Sequence, residues 1–138
     1  MSMERPLRPW FEAYVDAFNH NDFAGFGAYY ADDVIFQGQA AQVIGRDAVL
    51  AFYRKVKSRL DETLDLLAFV AAADGTRIVA EVRTRLVARE DWPGMPTGPM
   101  KKGDRRESVN FILYDIADGH FARVRSARFS GGQGARGA

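Results

Sequence analysis

The 138-residue chain lacks cysteine, has only two histidines and contains no long apolar run. The absence of cysteine excludes disulfides, thiolate metal sites and thiol catalysis, and it is typical of a reducing compartment. No apolar stretch approaches the roughly 20 residues of a membrane span, and no apolar segment follows the initial MSMERP, so we expect a cytoplasmic protein without a membrane partner. Because His20 stands at a helix end and His120 beside a turn, we expect no metal and no other cofactor.

A large excess of one charge is also absent, because 19 Lys and Arg residues stand against 18 Asp and Glu residues. The arginines are scattered and form no basic stripe, so we expect no nucleic-acid partner. Apolar residues are abundant at 47%, and a chain of this length can bury roughly 68% of its unfolded surface. We expect one domain over residues 1–129 and a disordered, glycine-rich tail over residues 130–138, which has little to bury.

Helical spacing dominates the first sixty residues. Phe11, Tyr14, Val15 and Phe18 recur at intervals of three and four, which predicts a first helix with one apolar face. Asp22 is a good N-cap for a short second helix over residues 23–30, and a strand is predicted over residues 34–37. A third helix over residues 46–60 carries its apolar side chains at helical spacing: Val49, Phe52, Tyr53, Val56 and Leu60.

After Asp61 the apolar period changes from about 3.6 to 2, which predicts strands up to residue 129. Two hairpins are expected, one joining 63–73 to 76–89 through Asp74-Gly75 and one joining 105–116 to 121–129. In the strand over residues 76–89 one face is apolar and the other is charged. We expect the apolar face to line the interior and the charged face to form cross-strand ion pairs with Glu107 on the outside.

The order of elements resembles the opening of the nuclear transport factor 2-like superfamily, which includes ketosteroid isomerases and SnoaL-like polyketide cyclases. The segments that carry the resemblance are FEAYVDAF (11–18), NHND (19–22), ADD (31–33), VIF (34–36) and GRD (45–47). The resemblance implies an α+β fold with three N-terminal helices packed on a strongly curved, mostly antiparallel sheet that forms a cone with a pocket. It also implies a homodimer through the sheet.

The resemblance to ketosteroid isomerases implies roles for two residues. Tyr14 falls where that family places the tyrosine that hydrogen-bonds the substrate oxygen, and Asn110 falls near the place of the family's protonated aspartic acid. Each residue also has a structural interpretation, in which its polar group bonds the backbone. The pocket is expected to bind a small hydrophobic ligand through Trp10, Phe18, Phe36, Phe52, Trp92 and Phe129.

The acids that these families use are missing from the expected places. Residues 34–46 contain no acid where ketosteroid isomerases carry their base, and residues 121–129 contain none where SnoaL-like cyclases carry theirs. Limonene epoxide hydrolases, from the same superfamily, use two aspartates bridged by an arginine. Here Arg105 and Glu107 would supply half of that arrangement.

Two function classes therefore stay open, and so does the question of catalysis. The first is a module that binds a small, largely apolar, carbonyl-bearing ligand without an acid-base pair. The second is an isomerase, cyclase or dehydratase with Tyr14 and Asn110 as oxyanion donors. The loop over residues 90–104, with three prolines and Trp92, is expected to act as a lid over the pocket or as a clasp for a second subunit.

Overall fold

The computed structural model describes residues 6–131, which form three helices and six strands. The elements in chain order are α1 (Leu7–Asn19), α2 (Phe23–Gly27), β1 (Tyr30–Gln37), β2 (Gln42–Ile44), α3 (Arg46–Lys57), β3 (Leu60–Ala71), β4 (Arg77–Ala88), β5 (Arg105–Ala117) and β6 (His120–Gly131). This order confirms the predicted α+β class, with the helices before the long strands. Within the described range, no helix is long and apolar enough to cross a membrane.

The six strands form one open, mixed sheet in the order β2-β1-β6-β5-β4-β3. β1 runs parallel to β6, and all other neighbours are antiparallel. Both long hairpins turn where the sequence predicted. Gly75 has a φ of 76° and Gly119 a φ of 75°, a conformation that glycine adopts at little cost.

Several boundaries differ from the prediction. The third helix, expected over residues 46–60, ends at Lys57, and Leu60 instead begins β3, where it pairs with Ala88. α2 ends at Gly27 and β1 begins at Tyr30, because two glycines weaken a helix that the Asp22 side chain caps at Gly25 N (2.9 Å). The short edge strand β2 was not predicted. β6 continues through Ser130 and Gly131, so these two residues of the predicted tail are ordered in the sheet, and the rest of that tail, 132–138, lies outside the described residues.

The apolar face of α1 packs on one side of the sheet, which we call the inner face. Phe11, Tyr14, Val15 and Phe18 are all buried there, as their spacing predicted. The ring of Phe11 meets that of Tyr114 on β5 edge to face, with centroids 5.0 Å apart. The β4 residues on the inner face are also the predicted ones, since Ile78, Ala80 and Val82 are buried and Thr84 and Leu86 follow them.

The opposite side of the sheet, the outer face, carries cross-strand ion pairs. Glu107 lies 3.9 Å from Arg83 and 3.7 Å from Arg85, which confirms the predicted pairing. Arg85 also contacts Asp65 at 3.0 Å. This face additionally exposes several large apolar side chains: Val70, Val79, Phe111 and Phe129.

Candidate functional site

A cavity of about 140 Å³ lies against the inner face of the sheet. A dry apolar cavity of about 150 Å³ can hold one benzene ring, so this one suits a small ring-sized ligand. The side chains that define its chemistry come from α1, α3, all the long strands and the 90–104 loop. Its lining includes Tyr14, Phe36, Gln39, Phe52, Tyr53, Glu62, Leu64, Thr84, Leu86, Met95, Arg106, Ser108, Asn110, Ile112, Tyr114, Val124, Ser126 and Arg128.

A group of tyrosine hydroxyls lies at the α1 side of the cavity. The hydroxyls of Tyr14 and Tyr30 are 2.6 Å apart, and the Tyr114 hydroxyl also interacts with that of Tyr14. Burial raises the pKa of Tyr14, Tyr30, Tyr53 and Tyr114 above the ordinary value, so all four are neutral phenols near pH 7. When Tyr30 donates to Tyr14, the Tyr14 hydroxyl keeps its own hydrogen for another acceptor.

Asn110 lines the same cavity from β5. Its Nδ2 donates to Ser108 Oγ at 3.3 Å, which leaves the second amide hydrogen free for a ligand. Its Oδ1 is shielded from water and has no hydrogen-bond partner within residues 6–131. A buried amide with unused hydrogen-bonding groups is costly unless a bound molecule satisfies them.

Glu62 on β3 brings a carboxylate into the cavity. Its side chain is half-buried, and no described residue forms a hydrogen bond or ion pair with the carboxylate. Removal from water raises the pKa of Glu62 to about 7, and the nearby Lys57 charge opposes that rise. The group therefore exchanges a proton near neutral pH, which is the property of a general base.

Lys57 at the end of α3 holds the start of β3 in place. Its side chain is 4% exposed, and Nζ donates to Phe18 O (2.8 Å), Asn21 Oδ1 (2.7 Å) and Glu62 O (3.0 Å). Burial lowers the pKa of Lys57 to about 8, while the charges of Glu62 and Asp61 act in the opposite direction. Because β3 is an edge strand, its unpaired backbone groups need such partners.

Asn19 completes the support of this strand. Its Oδ1 accepts from Leu64 N at 2.8 Å, and its Nδ2 donates to Leu64 O at 2.9 Å. The C-terminal end of α1 thus pairs with the free edge of β3, two residues beyond Glu62. The position of the Glu62 backbone is therefore fixed from both sides.

The 90–104 loop borders the cavity within the same chain. Met95, Pro96 and Thr97 are part of the lining. Arg106 holds the loop, because its guanidinium donates to the carbonyl oxygens of Thr97 (3.4 Å), Gly98 (3.2 Å) and Pro99 (3.0 Å). This position is the one expected of a lid.

Residues 11–124 match the profile of the SnoaL-like domain, which is more than half of the chain. The chain belongs to the SnoaL-like domain family. No curated protein matches its sequence.

Solved structures give the same answer for the fold. A candidate polyketide cyclase from Xanthomonas campestris is 28% identical, with 84% of each chain covered and a TM-score of 0.74. Another from Pseudomonas putida is also 28% identical, with 85% of this chain and 86% of that chain covered and a TM-score of 0.74. An epoxide hydrolase of the limonene type from Mycobacterium tuberculosis has the same fold at 16% identity, with coverages of 84% and 73% and a TM-score of 0.66.

The SnoaL-like domain brings four of the predicted site residues together. Tyr14, Asn110, Phe36 and Phe52 all line the cavity. Glu62 was not predicted, because the families that the sequence resembles carry their acids after the first strand and in the last strand. Its signal was the alternation Leu60, Glu62, Leu64, which places the glutamate on the same face as two buried leucines. The lining therefore contains one carboxylate, which comes from a strand other than those in which the related families carry their acids.

Trp10 and Phe18 were expected in the lining, but they belong to the protein interior beside it. Trp10 packs against Tyr29 and Phe121, with ring centroids 4.9 Å and 5.4 Å away. Phe18 is 1% exposed and is enclosed by other rings and by the Lys57 side chain, whose Nζ lies 3.8 Å from its ring centre. Trp10 and Phe18 share a side of α1 with Tyr14 but lie about 6 Å before and after it along the helix axis, so they pack beyond the point at which Tyr14 meets the cavity.

Trp92 and Phe129 also lie away from the lining. Trp92 bridges to Met100 and is buried in a second apolar cluster with Val56 and Leu60, so it supports the loop from behind. Phe129 is 67% exposed on the outer face. The cause is a β-bulge at Ala122, which reverses the alternation of β6.

The bulge decides which β6 side chains face inward. Phe121 before it and Val124 after it are both buried, although they are three positions apart and regular alternation would place them on opposite faces. Beyond the bulge, Ser126 and Arg128 therefore line the cavity and Phe129 faces outward. The epoxide hydrolase alternative also loses its support, but for another reason. Glu107 on β5 lies on the outer face with Arg83 and Arg85, away from the cavity.

In the part of the chain that the structure describes, no three His, Cys, Asp or Glu side chains are arranged to hold a metal ion. The polar groups of the lining are one carboxylate, neutral phenols, two amides, two serine and two threonine hydroxyls, and two guanidinium groups. This set can bind a polar organic molecule and transfer a proton.

Proposed function

We propose that this SnoaL-like domain is an enzyme that removes a proton next to a carbonyl group of a small, largely apolar substrate, with Glu62 as the base. The observation that carries the proposal is the Glu62 carboxylate in the cavity, without a partner among the described residues. Its pKa of about 7 makes it an effective proton acceptor near neutral pH. A more ordinary, solvated glutamate would be a weaker base.

The proposed step is balanced without a further reactant. Glu62 takes a proton from the carbon next to the carbonyl, and the electrons of that C–H bond move towards the carbonyl oxygen to form an enolate. Tyr14 and Asn110 donate hydrogen bonds to this oxygen, where the negative charge develops. If the substrate has a C=C bond next to the deprotonated carbon, the proton returns from Glu62 to the far end of that bond and the double bond shifts, which is an isomerisation. If it has a second carbonyl, the enolate carbon attacks that carbonyl carbon and the resulting alkoxide takes the proton from Glu62, which is a cyclisation.

The relatives support the carbonyl-bearing class of substrate. Two structures at 28% identity are candidate polyketide cyclases, and polyketides carry repeated carbonyl groups. The second candidate function is binding without chemistry, and the mainly apolar lining favours it. Phe36, Phe52, Leu64, Ile112 and Val124 present hydrocarbon to the ligand in either case.

Hydrogen exchange tests the two candidates directly. Phenylacetone is a ring-sized neutral ketone, and exchange of its benzylic hydrogens for deuterium is followed by ¹H NMR in D₂O at pD 8, where Glu62 is largely ionised. We expect the protein to accelerate exchange over buffer and Glu62→Gln to lose about 100-fold or more of that acceleration. Glu107→Gln removes an exposed carboxylate from the outer face and should leave exchange unchanged.

Two results decide against catalysis. If Glu62→Gln accelerates exchange as well as the unchanged protein, Glu62 is not the base. If the unchanged protein binds phenylacetone saturably but exchange stays at the buffer rate, the binding function is the correct one.

We also propose that the chain pairs with a second copy through the outer face. The apolar side chains of Val79, Phe111 and Phe129 are exposed there, and the rings of Phe111 and Phe129 are in edge contact at 5.4 Å. A broad apolar patch next to cross-strand ion pairs is typical of an interface. Light scattering at micromolar concentration should give twice the mass of the chain, and Phe111→Arg should halve it. A monomeric mass for the unchanged protein would contradict the proposal.

A further inference from the structure

The cavity contains two arginines, and only one of them has partners in the protein. Arg106 donates to three carbonyl oxygens of the 90–104 loop. Arg128 on β6 forms no hydrogen bond and no ion pair with any described residue. Its Nε is shielded from water and is unsatisfied. Arg128 therefore offers an unused positive charge to the interior of the cavity.

An arginine without a partner is unusual in this sheet, because the other half-buried arginines have acceptors for their guanidinium groups. Arg83 contacts Asp65 (3.7 Å), Arg123 donates to Gln37 (3.3 Å) and Arg125 contacts Asp115 (3.4 Å). The Nε atoms of Arg106 and Arg125 also lack partners, but their terminal nitrogens are engaged. Partial removal of the Arg128 guanidinium from water without an acceptor for Nε costs free energy, and an anionic ligand would recover that cost.

Polar groups surround Arg128 on the cavity side. Asn110 is its direct partner in the β5–β6 ladder, so the two side chains share one face of the sheet, the inner face. Ser126, two residues earlier on β6, and Ser108, two residues earlier on β5, also line the cavity. Asn110 Oδ1 has no partner in the described part of the chain. The donors left for a ligand oxygen at this end are the second amide hydrogen of Asn110 and the guanidinium hydrogens of Arg128.

The carboxylate of Glu62 does not neutralise Arg128. No ion pair within residues 6–131 joins the two, and β4 and β5 separate their strands. At about 4.8 Å per strand, their backbones are about 14 Å apart along the sheet. The cavity thus has a cationic end at Arg128 and a basic end at Glu62, with apolar side chains between them.

We propose that the substrate is a compact oxo acid whose carboxylate is held by Arg128 and Ser126, with its carbonyl oxygen at Asn110 and its apolar body directed towards Glu62. A planar guanidinium matches a carboxylate through two parallel hydrogen bonds. One unpaired arginine balances one negative charge, which fits a carboxylate rather than a phosphate dianion. The inference rests on the proposed function for the reacting end only, because the binding of the carboxylate needs no catalysis.

A pair of unreactive probes tests the inference without any variant. 3-Phenylpropionate and 3-phenylpropanamide have nearly the same shape and differ in charge. Isothermal titration at pH 7.5 should show tighter binding of the carboxylate by about tenfold or more, which is the effect of a charge-assisted hydrogen bond. Equal affinity for the two probes, or no saturable binding of the carboxylate up to about 10 mM, would overturn the proposal.

Variants test whether Arg128 causes the preference for the carboxylate probe over the amide probe. Arg128→Gln should abolish it, and Arg128→Lys should keep part of it because the charge remains. Arg105→Gln removes an exposed charge from the outward side of β5 and should keep the full preference. Thermal unfolding of each variant confirms that it is folded. An undiminished preference in Arg128→Gln would show that another group holds the anion.

The same titration in Glu62→Gln separates this inference from the proposed function. The preference for the carboxylate should persist there, because Glu62 lies at the other end of the cavity, while exchange of phenylacetone hydrogens is lost. If Glu62→Gln still accelerates hydrogen exchange, Glu62 is not the base, and the proposed carboxylate site is unaffected by that result. A preference that disappears in Glu62→Gln would contradict the separation of the two ends.

Discussion

The two faces of the same sheet use charged residues in opposite ways. On the outer face Arg83 and Arg85 pair with Glu107 in contact with water, and such pairs contribute only about 0 to 1 kcal/mol. On the inner face Glu62 and Arg128 have no partner within the described residues, although enclosure makes an unpaired charge costly. The difference shows that the candidate site is marked by charges that the protein leaves unpaired, rather than by the number of charges.

The largest expected effect contrasts two phenylalanines of β6. Phe121 is 0% exposed on the inner face, whereas Phe129 is largely exposed on the outer face. Phe121→Ala should lower the free energy of unfolding by about 3 to 5 kcal/mol, because it leaves a cavity among packed rings. Phe129→Ala should change it by less than about 0.5 kcal/mol.

Urea denaturation at low protein concentration, where dimerisation contributes least, measures both values. A similar loss in the two variants would mean that the two faces are not as different as the structure has them.

The next effect is the pH dependence that Glu62 gives to stability. Because its pKa is raised from 4.5 to about 7, the folded protein keeps a proton that the unfolded chain has released between these values. The free energy of unfolding therefore falls as pH rises through this window. Glu62→Gln stays neutral, so its stability relative to the unchanged protein should increase by about 2 to 3 kcal/mol between pH 4.5 and pH 8.

Denaturation curves at several pH values measure this difference. Glu107→Gln removes a carboxylate from the outer face and serves as the matched control for loss of one charge. If its curve follows that of Glu62→Gln, burial of Glu62 is not the cause.

A smaller effect is expected from the tyrosine hydroxyls. Tyr14→Phe removes the hydrogen bond to Tyr30 and should lower the free energy of unfolding by about 0.5 to 1.5 kcal/mol without changing the fold. It should also slow the exchange of phenylacetone hydrogens. Tyr53→Phe is the matched control, because the Tyr53 hydroxyl also borders the cavity but forms no hydrogen bond with the described residues. Equal exchange rates in Tyr14→Phe and the unchanged protein would remove Tyr14 from the site.

The smallest effect concerns the outer ion pairs. Arg85→Ala loses contacts with Asp65 and Glu107 and should lower the free energy of unfolding by about 0.5 kcal/mol or less. About 1 M salt should remove most of this difference, because exposed charges are screened. A loss above about 1 kcal/mol would mean that the outer face depends on its charges as strongly as the inner face.

Much of the fold could be predicted from local patterns. The spacing of Phe11, Tyr14 and Phe18 fixed the buried face of α1, and the change of period after Asp61 marked the transition to strands. The Asp74-Gly75 turn placed the first long hairpin correctly. These signals are local, because helix and strand geometry repeat over a few residues.

The candidate site was less predictable. Tyr14 and Asn110 were found by resemblance, and both line the cavity. Glu62 was missed although its alternation with Leu60 and Leu64 was visible. Phe129 was expected inside because no feature of the sequence announces the bulge at Ala122.

By itself the sequence determined the class of fold, the order of its elements and the apolar sides of the helices and of β4, because these follow from the period of apolar residues along the chain. Only the tertiary structure decided which polar side chains share one cavity. The unpaired state of Glu62 and Arg128 depends on the groups that other strands place across from them, and a single bulged residue exchanges the inner and outer sides of β6. Whether a charged side chain is available to a ligand depends on its neighbours in the fold, and those neighbours come from residues far away in the chain.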